Sequence, residues 1–205
     1  MMIWSYHIQI YRNLKYINKM FYSIDELQKI GFKKIGTNVL ISDKCSIYGA
    51  NKISIGDNVR IDDFCILSAG SEITIGDYVH ISCYASLIGK GKIVLDDFSG
   101  LSLRCTVLSS SDNFSGEFLT NPMIPEKYLN VKHMDVIFKK HALVGAGSVV
   151  LPGVVVGEGA AVGAMSLVKK SINPYEIWAG NPLKFIKDRS DVLLDLEKEL
   201  RDENI

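Results

Sequence analysis

The aliphatic residues of this 205-residue chain recur with a period of twenty, assembled from six-residue units. Ile35, Ile41 and Ile47 are followed by Ile55, Ile61 and Leu67, then by Ile75, Ile81 and Leu87, then by Leu95, Leu101 and Val107. Within each triplet the steps are six and six, and the next triplet follows after eight. Beyond an interruption the spacing returns as a plain six, at Phe138, Val144, Val150, Val156, Val162 and Val168. An amphipathic helix repeats at three and four, and a half-buried strand alternates at two. A repeat of six fits neither. It describes a coil of three short flat faces, each closed by a turn, stacked into a solenoid.

The fourth residue after each aliphatic one is small: Val39, Cys45, Val59, Cys65, Ser71, Val79, Ala85, Gly91, Ser99 and Cys105, then Ala142, Ser148, Val154, Ala160 and Ser166, with Asn51 as the misfit. A large side chain on the face and a small one near the corner suit a narrow triangular prism. Coils spaced like neighbouring strands, about 4.8 Å apart, place each aliphatic residue on its equivalent one coil away and build a continuous core. Cys45, Cys65 and Cys105 share one small-residue column, with Ala85 in the missing place, and read as buried small hydrophobes. Cys83 lies off that column. No cysteine or histidine spacing describes a metal site.

This pattern resembles the hexapeptide-repeat acyltransferases, whose repeat reads aliphatic–Gly–x–x–small–x. Here it appears as Ile55-Gly56-Asp57-Asn58-Val59-Arg60 and Val144-Gly145-Ala146-Gly147-Ser148-Val149. The resemblance implies an all-β fold, a left-handed parallel β-helix. The handedness comes from the resemblance, since it runs against the usual right-handed crossover.

The expected organisation is a helical cap over residues 1–34, the β-helix over 35–170 with a protruding loop at 108–135, and a closing segment with a helix over 171–205. Ser23 and Glu26 form a capping-box pattern and Gly31 a helix stop. The aromatic and aliphatic residues of the amino end are expected to cap the first coil as a short helix. A last helix is expected from Ser190 to about Arg201, with Val192, Leu193, Leu196 and Leu200 forming one apolar face for a neighbouring element or subunit.

Composition narrows the function. Lysine plus arginine and aspartate plus glutamate both number 23, so the formal net charge is zero, and no basic run suggests nucleic acid or an anionic membrane. The longest uncharged stretch, residues 142–157, is shorter than the roughly 20 residues that span a bilayer. Arg12, Lys15 and Lys19 interrupt the amino end and no small-residue cleavage site follows an apolar core, so cytoplasmic residence is the expectation.

The candidate chemistry lies where the repeat is broken. Gly36, Gly56 and Gly76 occupy one corner in successive coils, and the next coil has Asp96 in their place. If the glycines serve permissive backbone angles, an aspartate there carries a conformational cost of the kind that clusters at functional sites. Asp97 continues the nearly regular column Thr37, Asp57, Asp77. The two adjacent carboxylates are expected to repel and to favour proton acceptance. Ser86 and His80 point outward in the preceding coil. His133 ends the irregular loop, His141 reads as structural, and His7 offers no constellation.

The resemblance implies acyl transfer from acetyl-CoA by a homotrimer, with pantetheine in a groove between prisms. It places Ala146, Gly147 and Ala164 at the pantetheine amides. Tyr175-Glu176-Ile177-Trp178-Ala179-Gly180-Asn181-Pro182-Leu183-Lys184 resembles the family's closing motif at the nucleotide end, with Pro182 beside the cofactor and Lys169, Lys170 and Lys184 near its phosphates. Within the superfamily the similarity is greatest to N-acyltransferases of nucleotide-linked 4-amino-4,6-dideoxy sugars of the viosamine and anthrose type, which serve cell-surface polysaccharide such as O-antigen. In that group a serine and adjacent acidic residues lie by the sugar amine, which implies Ser86, Asp96 and Asp97 here. Asp112, Asn113 and Glu117 on the loop are the expected substrate contacts. A neutral amine is nucleophilic and needs only a proton sink, so a carboxylate suffices, whereas a hydroxyl favours a histidine base. The alternatives are a sugar O-acetyltransferase using His80 or His133, and a non-catalytic β-helical scaffold.

Overall fold

A computed structural model describes residues 20–203. His7 and the expected helix of the amino end lie outside the described residues. Three parallel sheets form the sides of a prism. The first face stacks Lys34–Ile35, Ile53–Ile55, Ile73–Ile75, Ile93–Leu95, Val136–Phe138 and Val155–Val156. The second stacks Leu40–Ile41, Arg60–Ile61, His80–Ile81, Gly100–Leu101, Leu143–Val144 and Ala161–Val162, and the third Ser46–Tyr48, Ile66–Ala69, Ser86–Gly89, Thr106–Leu108, Val149–Val150 and Leu167–Val168. Register follows the sequence repeat: Ile55 pairs with Ile75, Leu95 with Phe138, and Val144 with Val162. The interruption is therefore an insertion between two coils, closed with no slip of register.

The core is the column of aliphatic residues. Ile41, Ile61, Ile81, Leu87, Leu95, Val107, Phe138, Val144, Val150 and Val156 are buried, with Cys65, Ala85, Cys105, Ala142 and Ala160 at the corners. Each buried Val, Leu or Ile contributes about 1.5–3 kcal/mol relative to exposure. Burial pushes the Cys105 thiol up to about 11, which keeps it protonated and inert.

The reason for the corner glycines differs from the expected one. Gly36, Gly56 and Gly76 do not adopt left-handed angles. Those fall two residues later, at Asn38, Asn58, Tyr78 and Phe98, with φ of 52–57°. A Cβ on Gly36, Gly56 or Gly76 would instead collide both with Oδ1 of Asp57, Asp77 or Asp97 and with the backbone of the following coil. Those carboxylates form a ladder, each accepting the N–H of the residue one coil earlier: Thr37 to Asp57 at 2.6 Å, Asp57 to Asp77 at 2.7 Å and Asp77 to Asp97 at 2.8 Å. The ladder ends at Asp97, because the next coil carries Lys140. No carboxylate folds back over position 96, and Asp96 takes no left-handed backbone angle.

Helix α1 (Ile24–Ile30) closes the first coil. Ser23 and Glu26 make the capping box, Gly31 ends the helix at φ 79°, and Leu27 is buried against the core. The inserted loop is pinned at its base by an antiparallel pair, Ser110–Ser111 against Lys132–His133. Its tip exposes apolar side chains, Phe114 at 89% and Met123 at 87%. At the far end Glu176–Ala179 joins the second face in parallel, and Lys184–Asp188 turns back antiparallel upon it. Helix α2 (Leu193–Glu203) follows. Ser190 accepts the Val192 N–H at 3.3 Å, but the helix begins three residues later than the sequence predicts. Its expected apolar face does not pack on another element of the same chain. Val192, Leu196 and Leu200 are exposed and Leu193 is half-buried, while Glu197 is the buried residue of this helix. Burial of that carboxylate is tolerated because cationic donors surround it.

Candidate active site

The first and second faces meet at a vertex bearing an open depression of about 390 Å³, lined by Thr74, Gly76, Leu95, Asp96, Asp97 and Lys140. Asp96 and Asp97 enter it from the turn after Ile93–Leu95, and Lys140 from the equivalent turn after Val136–Phe138. The backbone of Asp96 is fixed on both sides, its N–H donating to the Phe138 carbonyl at 2.8 Å and its carbonyl accepting from Ser99 at 3.2 Å. Its carboxylate is free of the ladder and meets Lys139 Nζ at 3.4 Å. Asp97 spends Oδ1 on the ladder and faces Arg201 across 3.6 Å with Oδ2. The two carboxylates thus do not simply repel, since each has a cation beside it. The Ser99 hydroxyl, one turn behind, is buried with no partner among the described residues.

Helix α2 crosses the same vertex. Glu197, only 7% exposed, accepts from Lys140 at 2.8 Å, Arg201 Nε at 2.7 Å and His141 Nε2 at 2.7 Å. Burial alone would raise its pKa. The donors Lys140, Arg201 and His141 outweigh burial and hold it at about 2. The ring of Phe98 stacks on Tyr78 at 4.7 Å and on His141 at 5.0 Å, and the Arg201 guanidinium lies 5.2 Å from it. Sequence reasoning passed over Lys139, Lys140, Glu197 and Arg201. The lysine pair stands in the columns of Asp96 and Asp97 one coil on, which was a readable signal. For Glu197 the only trace was its i,i+4 spacing to Arg201.

Ser86 and His80 lie elsewhere on the protomer. Ser86 opens its strand on the third face, paired with Ile66 and Thr106. His80 lies on the second face, its Nε2 2.8 Å from Asp62 Oδ2, while Arg60 Nε donates to the other oxygen at 2.7 Å. Burial opposes ionisation of Asp62, but those two partners hold its carboxyl below the ordinary range. His133 shares a hydrogen bond with the Ser110 hydroxyl at 2.7 Å at the base of the loop. On the loop, Asn113 Oδ1 accepts from Ser115 N–H at 2.8 Å, Glu117 accepts from the Ser115 hydroxyl at 3.2 Å, and Asp112 is exposed.

Ala146, Gly147 and Ala164 share the vertex between the second and third faces, where the Ala146 carbonyl accepts from Met165 N–H at 2.8 Å. Lys169 and Lys184 are exposed, and Pro182 follows a cis peptide bond after Asn181. Lys170 is engaged in the closing segment, its ammonium 4.1 Å from the Trp178 ring. Among the described residues no group of three or more His, Cys, Asp or Glu side chains is placed to hold a metal ion, and no helix is long and apolar enough to cross a membrane.

No family model matches the sequence. Individual proteins do. The chain is 46% identical over 177 residues to a dTDP-4-amino-4,6-dideoxy-D-glucose acyltransferase of Escherichia coli, covering 85% of this chain and 92% of the relative. It superimposes with a TM-score of 0.87 and 50% identity on the N-acyltransferase AntD of Bacillus cereus in complex with dTDP and 3-hydroxybutyryl-CoA, over 91% of this chain and 100% of that one. A hexapeptide-repeat acetyltransferase of Vibrio cholerae in complex with acetyl-CoA shares the fold alone, with a TM-score of 0.59 and 16% identity over 84% of this chain and 82% of that one. Full-length similarity at this level, on a prism of parallel hexapeptide coils, places the chain in the family of left-handed β-helical, CoA-dependent N-acyltransferases that includes these dTDP-amino-sugar enzymes.

Proposed function

We propose that the chain acylates the 4-amine of a dTDP-4-amino-4,6-dideoxy sugar, with acetyl-CoA as donor. The observation that carries the substrate is a serine-to-cysteine variant of AntD bound to dTDP-4-amino-4,6-dideoxyglucose and coenzyme A, 49% identical over 91% of this chain with a TM-score of 0.88. The amine nitrogen attacks the thioester carbonyl carbon, a tetrahedral intermediate forms, and the C–S bond breaks to release coenzyme A. Asp96 orients the amine and accepts its proton, which passes to the departing thiolate. A backbone N–H stabilises the oxyanion. Asp97, tied into the ladder, fixes the corner on which Asp96 stands. Ser86 hydrogen-bonds near the amine. AntD has been solved with replacements of a serine and of an aspartate ten residues further on, the spacing that separates Ser86 from Asp96.

The assignment of Ser86 and Asp96 to one site requires more than one copy. Within a protomer they stand on different parts of the prism, Asp96 at the vertex between the first and second faces and Ser86 on the third. A cyclic homotrimer brings the vertex of one copy to the third face of the next. The apolar side chains Phe114 and Met123 at the tip of the loop are then contacts for a neighbouring copy rather than for water, and Asp112, Asn113 and Glu117 are carried to the substrate. In the same arrangement Ala146, Gly147 and Ala164 hold the pantetheine, and Lys169, Lys184 and Pro182 border the nucleotide end. Acyl-CoA and nucleotide sugars are cytoplasmic metabolites, which puts the enzyme there, supplying acylated sugar for surface polysaccharide such as O-antigen.

The test is Asp96→Asn, assayed by coenzyme A release with dTDP-4-amino-4,6-dideoxyglucose. Turnover is expected to fall by about 10²–10⁴-fold, with the thermal midpoint and oligomer mass unchanged. Near-normal turnover rejects the role of Asp96. Absence of turnover by the wild-type enzyme with this sugar rejects the substrate.

A further inference from the structure

Lys140 occupies, one coil on, the corner position of Asp97, and it lines the same depression as Asp96 and Asp97. The lysine shares that depression with two carboxylates, yet its ammonium donates to Glu197 at 2.8 Å. Arg201 instead spans both groups, its Nε donating to Glu197 at 2.7 Å and its Nη2 standing 3.6 Å from Asp97 Oδ2. Glu197 comes from α2, some sixty residues beyond the coil it serves, and no other residue of that helix is buried.

We propose that Glu197 is a positioning residue for the acyl-transfer site. It draws Lys140 away from the Asp96–Asp97 pair and leaves Asp96 open to the amine of the incoming sugar. The proposal rests on the role given to Asp96 above. A lysine ammonium and a sugar ammonium are the same kind of ligand for a carboxylate, and a tethered one competes at high effective concentration. Lys139 already stands 3.4 Å from Asp96 on an exposed stem. A second cation turned inward would close the vertex to substrate.

The experiment compares Glu197→Ala, Lys140→Met and the double variant, with steady-state kinetics on dTDP-4-amino-4,6-dideoxyglucose and acetyl-CoA. Glu197→Ala is expected to raise KM for the amino sugar about tenfold, a coupling of ordinary size for neighbouring charges, with KM for acetyl-CoA unchanged. Adding Lys140→Met is expected to return the sugar KM to that of Lys140→Met alone. A loss of activity that Lys140→Met does not relieve overturns the proposal, because it shows Glu197 acting only as a support of the fold. If Glu197→Ala does not accumulate as folded protein, Glu197→Gln carries the same comparison, since it keeps the volume and removes the charge. The two levels of the argument separate cleanly. Retained turnover in Asp96→Asn removes the premise. Abolished turnover there, with an unmoved sugar KM in Glu197→Ala, removes the positioning role alone.

Discussion

Position 96 shows how a repeat makes room for a reactive side chain. In the coils before it, the corner is glycine because both the aspartate and the backbone of the following coil lie close over it. With Lys140 in that aspartate's place, the carboxylate part of the restriction is absent one residue earlier in the preceding coil. Two substitutions separate this explanation from one based on backbone strain. Asp96→Gly restores the column and should change stability by less than about 0.5 kcal/mol, while lowering turnover as Asp96→Asn does. Gly76→Ala puts a Cβ 2.5 Å from Asp97 Oδ1 and 2.8 Å from its nitrogen. It should destabilise by about 1–3 kcal/mol, read as a lower denaturation midpoint. The identity of Asp96 as an outlier was legible in the sequence because neighbouring coils supply the comparison. Its physical cause was not, because the clash is with a side chain twenty-one residues away in the chain, and a column of letters carries no distances.

Helix α2 illustrates the opposite case. Its leucines suggested an apolar stripe for a neighbouring element or subunit, and within the chain the helix is packed through a carboxylate. The reason is that the surface beneath it is a corner already bearing Lys140 and His141, so the complementary group is an anion. Apolar periodicity finds faces that meet hydrophobic surface, and it is blind to a helix docked by charge. Docking of this kind should depend on pH. The folded pKa of Glu197, about 2, lies below its ordinary value of 4.5. Its contribution to stability is therefore complete above the unfolded value and is lost as pH falls from 4.5 towards 2. Wild type and Glu197→Gln should differ in unfolding free energy by a constant amount above that window, and the difference should shrink through it. Amide hydrogen exchange across α2 should quicken in wild type over the same range. An unchanged gap down to pH 2 would contradict the ion-pair account of how the helix is held.

At the scale of the whole molecule the prism was readable from one number, the repeat of six, because every coil buries the same columns and the evidence accumulates over the length of the chain. What a single chain does not encode in its own periodicity is the meeting of two prisms. Ser86 and Asp96 therefore looked like neighbours only through resemblance, and the protomer sets them apart. Coexpression tests the arrangement directly. Ser86→Ala and Asp96→Asn subunits, each inactive alone, should regain activity in mixed oligomers of the proposed arrangement. Random assembly in a ring would leave about a quarter of the sites with both wild-type residues. No recovery would place both side chains in the same copy and refute the shared site. The two ends of the prism carry a separate lesson. Phe21 bridges Ser42 in the antiparallel sense at one end, and Lys184–Asp188 lies antiparallel at the other. A stack of parallel rungs is an open template that would otherwise recruit further chains end to end. Reversed pairing at each end, with lysines on the outermost strand, makes the column finite, so that truncation before Lys184 should uncover one end only and let two copies associate there, read as a doubled mass.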